Sequence, residues 1–152
     1  MKIFTLRTTQ FVPASLDECW SFFSSPGNLE KITPPSMAFK IVSEKEPTMY
    51  PGQIIIYSVK PFPFVKMTWV TEISQVKKGE FFIDEQRFGP YKFWHHKHFF
   101  KPVQGGVEMN DVVHYALPFG IFGRVALPIV KKQLSNIFQF RKNKIEKLFP
   151  LK

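Results

Sequence analysis

Cysteine is almost absent from this chain. The 152 residues include one, Cys19, so no disulfide can form within the chain and no cysteine cluster can hold a metal. Cys19 reads as a small buried apolar group. Acidic residues are also scarce: 12 Asp and Glu stand against 21 Lys and Arg, a net charge of +9. That balance suits an anionic ligand, an anionic membrane surface or nucleic acid, and it equally suits plain solubility. No stretch approaches the ~20 apolar residues that a membrane-spanning helix needs. Met1 to Gln10 alternates instead of forming the apolar run of a signal peptide, so the expected location is the cytoplasm. Glycine-rich phosphate loops, dinucleotide fingerprints and nucleophile motifs are missing. So are internal repeats, low-complexity tracts and linkers. One domain over residues 1–152 is the expectation.

Aromatic rings are plentiful: 18 Phe, 4 Tyr and 3 Trp. Large rings fill a wide interior or line a hollow one. They concentrate in Glu80 to Tyr115, which reads as three extended segments with turns at Gly89-Pro90 and Gln104-Gly105-Gly106. In a strand, every second side chain points to the same face. Counting by two puts Trp94, His96, His98 and Phe100 together, and Phe82, Asp84, Gln86 and Phe88 together. The third segment places Asp111, Val113 and Tyr115 on one side. A plain core would use Val, Ile and Leu, and a solvated face would not carry so many rings. The mixture suits a cavity wall, an apolar lining with a few polar groups that orient a guest.

The rest of the chain has a simple order. Residues 2–11 alternate as a strand. Ser15-Leu16-Asp17-Glu18 matches a capping box and opens a helix carrying Leu16, Cys19, Trp20 and Phe23 on one stripe. A second short helix is expected at about 28–32, stopped by Thr33-Pro34-Pro35. Strands follow at 38–44, 53–60 and 65–76. After Pro118 the period becomes helical: Val130, Leu134, Ile137, Phe138, Arg141, Ile145 and Leu148 fall on one stripe. Pro128 predicts a kink or a broken start. Short links between successive strands predict an antiparallel meander, which twists and curls over the long helix. The class is α+β, about seven strands in the order β-α-α-β6-α.

That order, carried by Pro13, Trp20, Phe23, Leu29, Thr33-Pro34-Pro35, Pro51-Gly52, Asp84, Gln86, Gly89-Pro90-Tyr91, Trp94, His96, His98, Phe100, Asp111, Tyr115, Pro118 and Gly120, resembles the START/Bet v 1-like (SRPBCC) superfamily. The nearer resemblance is to its bacterial single-domain ligand-binding members. The resemblance implies a helix-grip fold and a small hydrophobic or amphipathic ligand between the sheet and the C-terminal helix. The residues expected to meet it are Trp20, Phe23, Trp69, Asp84, Gln86, Trp94, His96, His98, Asp111, Tyr115, Ile137 and Phe138. Because the superfamily includes aromatase/cyclases, His96, His98 and Asp84 are also the candidates for acid–base catalysis. Zinc or iron suits His96 and His98 with Asp84 and Asp111, but the favoured reading has the histidines bonded to the aspartates, with no metal and no cofactor. Lys131, Lys132, Lys142, Lys144 and Lys147 form either a solvated helix face or a weak contact with an anionic membrane. Nucleic acid is not an expected partner, since the rings follow strand alternation and would be buried.

Overall fold

Strand alternation sets the architecture. The computed structural model describes residues 1–44, 46–62, 64–118 and 120–151, without the side chains of residues 121, 122 and 124. Seven strands form one sheet: β1 (Phe4–Val12), β2 (Lys40–Ile41), β3 (Gln53–Phe62), β4 (Val65–Lys77), β5 (Phe81–Phe88), β6 (Phe93–Val103) and β7 (Gly106–Ala116). Their order is β1-β7-β6-β5-β4-β3-β2, with every neighbour antiparallel. Helix α1 (Leu16–Phe23) follows β1, while α2 (Gly120–Val125) and α3 (Leu127–Leu148) follow β7. This is the expected α+β helix-grip arrangement, with the long α3 packed against the inner face. Among the described residues, no helix is long and apolar enough to cross a membrane.

Local chemistry fixes the helix ends. The Ser15 hydroxyl accepts from the Glu18 N–H at 3.2 Å, and the Glu18 carboxylate accepts from the Ser15 N–H at 2.8 Å. Two of the orphan amides at this helix end are thereby satisfied. The expected second helix is instead a 3-10 segment, Pro26–Ile32, with proline at its start. Seven residues between prolines are too few to nucleate a stable α-helix. The strand expected at 38–44 shrinks to Lys40–Ile41, because Ala38 adopts a left-handed conformation with φ of 42°. Pro128 is accommodated by breaking the helix before it. It sits in the first turn of α3, where its missing N–H costs nothing.

The core is split in two. One buried cluster, under α1, includes Trp20, Phe23, Ile55, Ile73, Phe82 and Phe100, and reaches Ile145 near the end of α3. The other holds Trp94, Val113 and Tyr115 against Val130, Leu134 and Phe138. Along β6 the inward positions run from Trp94 of the second cluster through His96 and His98 to Phe100 of the first. Along β7, Asp111 lies between Met109 of the first cluster and Val113 of the second. The polar residues occupy the seam between the clusters.

Candidate ligand cavity

Register places the polar side chains. Asp84 of β5 stands directly opposite His96 of β6, and His98 stands directly opposite Asp111 of β7. Diagonal neighbours on one face are also within reach of long side chains. The four groups therefore close into a ring. His98 Nε2 lies 2.7 Å from Asp84 and His98 Nδ1 lies 2.9 Å from Asp111. His96 Nε2 lies 2.9 Å from Asp111, but His96 Nδ1 lies 3.4 Å from Asp84. The two imidazoles are 3.7 Å apart between centroids. Phe82 stacks on His98 at 4.1 Å, and Trp94 and Phe138 meet His96 edge-on at 6.1 and 5.7 Å.

Three short contacts and one long one fit three N–H protons. A charged His98 donates twice. A neutral His96 donates once, to Asp111, and leaves the lone pair of Nδ1 facing Asp84. The electrostatics of the site run in the same direction. Burial pulls the His98 pKa down, but its hydrogen bonds to Asp111 and Asp84 outweigh this and raise it. Burial and the neighbouring His98 charge lower the His96 pKa, against the opposing pull of the aspartates. For Asp111, burial opposes ionisation, yet the hydrogen bonds from both histidines hold its carboxyl well below the usual range. Asp84 is lowered against its burial by His96, His98 and Arg141.

The ring faces a cavity of about 550 Å³. Its sheet wall includes Tyr57, Val59, Met67, Trp69, Thr71, Phe82 and Trp94; its helical wall is Val130, Leu134, Ile137, Phe138 and Arg141. Leu29 and Ile32 of the 3-10 segment close one side, and half-exposed Phe62 and Val65 stand at the rim. The Gln133 side-chain amide donates to the Pro61 carbonyl and ties α3 to that rim.

Of the expected residues, Phe23, Trp69, Asp84, Trp94, His96, His98, Asp111, Ile137 and Phe138 line the cavity. Trp20, Gln86 and Tyr115 are absent from the lining. Trp20 packs edge-on against Phe82 and Phe100 within the α1 cluster. The Gln86 amide is spent on the Tyr91 backbone, donating to its carbonyl at 2.7 Å and accepting from its N–H at 3.2 Å. Tyr115 lies against Phe4 and Tyr91. Gln86 and Tyr115 thus hold Tyr91, which does reach the lining.

Several polar lining residues were not among those expected from the sequence, Tyr57, Thr71 and Arg141 among them. Burial raises the Tyr57 pKa, against a side-chain hydrogen bond to Thr71. The Arg141 guanidinium sits 5.0 Å from the Phe138 ring, and its Nε is buried without a hydrogen-bond partner among the described residues. A charge on the apolar stripe of α3 was the available signal.

Asp84, His96 and His98 also offer one donor atom each within 4.8 Å of one another, a spacing compatible with a metal ion. An ion there would have to displace the His98 proton bonded to Asp84, because a ligating imidazole nitrogen must be free of its proton. The ring is already satisfied by its own hydrogen bonds. Its N–H donors are committed to Asp84 and Asp111, so acid–base chemistry on a guest would first require one of those contacts to open.

No family model matches the sequence, and no curated protein matches it in sequence. Solved structures do match. A Chromobacterium violaceum protein superposes with a TM-score of 0.75 at 14% identity, covering 97% of this chain and 98% of the other. The aromatase/cyclase Zhui from a Streptomyces species gives 0.74 at 11% identity, covering 95% and 92%. Ara h 8.0201 gives 0.66 at 13% identity, covering 96% and 99%. The structural matches include Bet v 1-like (SRPBCC) proteins over nearly the whole chain, and the fold is their helix-grip fold.

Proposed function

We propose that the chain binds or carries a small hydrophobic or amphipathic molecule between the sheet and α3. The observation that supports this is the cavity of about 550 Å³, apolar on most of its wall and polar along one seam. A guest that hides about 200 Å² of apolar surface gains roughly 5 kcal/mol from burial, before the costs of association. Titration with the neutral fluorescent probe N-phenyl-1-naphthylamine tests the reading. Saturable one-to-one binding is expected; no binding overturns it. Native mass spectrometry of protein from its own host would show a retained guest.

The His–Asp ring supports a second reading, acid–base catalysis on the bound molecule. His98 would donate on releasing one of its two aspartate contacts, and His96 would accept at Nδ1, as in a cyclisation or dehydration. Turnover of an aromatic or polyketide-like substrate that disappears with His96→Ala is the expected result. No turnover across a broad substrate panel leaves carriage alone.

A further surface bears on delivery. Phe62, Phe64 and Val65 of the β3–β4 hairpin and Val125 and Ile129 of the helical side are exposed apolar groups. Lys60, Lys66, Lys131 and Lys132 are exposed near them in the chain. Apolar tips flanked by lysines suit contact with an anionic membrane at the cavity rim.

A further inference from the structure

Among the described residues of the cavity wall, Arg141 has a buried donor that the wall leaves without an acceptor. A guanidinium is charged at every working pH and carries five N–H donors in a fixed fork. Its Nε is buried with no hydrogen-bond partner among the described residues, and its guanidinium meets the Phe138 ring at 5.0 Å. Among the described residues, no carboxylate forms an ion pair with it. Asp84 influences it only at a distance, since that carboxylate already accepts from His98. The residue as a whole is only partly buried, so the cation keeps some solvent, but its Nε faces the interior, where an N–H without an acceptor is costly. Every other ionic group in the wall has found its partner within the ring.

Position strengthens the point. Arg141 lies three residues beyond Phe138 on α3, on the same face, and both line the cavity. Phe138 in turn touches His96. The unpaired cation therefore stands beside the polar seam, with the apolar lining extending away from it.

We infer that the guest carries an anionic head, a carboxylate or similar oxyanion, and that Arg141 pairs with it while the apolar body lies along Trp69, Met67 and Leu134. This rests on the cavity reading above and narrows it to hydrophobic acids. A carboxylate can take two parallel N–H bonds from the guanidinium fork, a geometry a lysine cannot reproduce.

The test is competition at pH 7.5. Dodecanoate and 1-dodecanol, which share a tail, displace N-phenyl-1-naphthylamine from the wild type and from Arg141→Gln and Arg141→Lys. The wild type should prefer dodecanoate by about tenfold or more. In Arg141→Gln the ratio of acid to alcohol affinity should fall to within about twofold, and Arg141→Lys should recover part of it. Circular dichroism spectra and melting curves like those of the wild type show that each variant is folded. Equal competition by acid and alcohol in the wild type overturns the inference and leaves the cavity reading standing. So does a preference that survives Arg141→Gln. If the wild type binds none of the three molecules, both fall together.

Discussion

Asp111→Leu is the sharpest probe of the ring. It removes the carboxylate that both histidines share, at 2.9 Å from His96 Nε2 and 2.9 Å from His98 Nδ1. His96 then has an N–H with no acceptor, and His98 keeps one partner for two protons. The imidazoles are only 5% and 10% exposed, so water cannot replace what is lost. Removing one partner from a buried charged pair costs about 3–5 kcal/mol. At about 2–4 °C per kcal/mol for a chain of this size, the melting temperature should fall by roughly 6–20 °C. Urea unfolding at pH 7, with an unchanged m value, measures the loss directly. His98→Leu and the double variant complete a cycle. Because the groups form one network, the double variant should lose at least about 1.5 kcal/mol less than the sum of the single losses. A loss below about 1 kcal/mol for Asp111→Leu, or strict additivity, refutes the ring.

The two histidines should titrate apart in NMR-monitored pH titration, His98 above the ordinary imidazole value and His96 below it; one shared transition near pH ~6.5 counts against the proton placement. In stability terms, the raised His98 contributes below pH ~6.5 and its contribution is lost as pH rises through its folded-state value, whereas the lowered His96 destabilises as pH falls below ~6.5. Asp84 and Asp111, both lowered, contribute fully above pH ~3.9 and lose that contribution as pH falls through their folded-state values. Phe64→Ser should weaken binding to phosphatidylglycerol vesicles at low salt and leave phosphatidylcholine binding unchanged; indifference to lipid charge in the wild type removes the membrane contact. Zinc at stoichiometric concentration should leave the melting temperature unchanged, and a rise of several degrees would assign Asp84, His96 and His98 to a metal after all.

Much of the fold was legible because its signals are local. The Ser15–Glu18 cap, the Pro128 break and the alternation of β6 and β7 all follow from side chains a few residues apart. The inward face Trp94-His96-His98-Phe100 was legible for the same reason, with Lys97 pointing the other way. Gln86 misled because the period-two count ignores what a flexible amide finds nearby, here the backbone of Tyr91 beyond the Gly89-Pro90 turn. Bulges between Val70 and Thr71 and between Ile73 and Gln75 also shift the β4–β5 register that such counting assumes. Trp20 and Tyr115 do face inward, but they lie among the packed clusters at either end of the cavity. Depth along a strand or helix is a tertiary quantity, and periodicity carries no trace of it. Arg141 was visible on the stripe, yet its want of a partner depends on every element packed around it.

The geometry of the ring has a consequence for the proposed binding of a guest. Each imidazole reaches both carboxylates, so hydrogens can be redistributed among the four groups while the heavier framework stays still. Acidity would then alter which molecules are welcome without altering the outline they must fit.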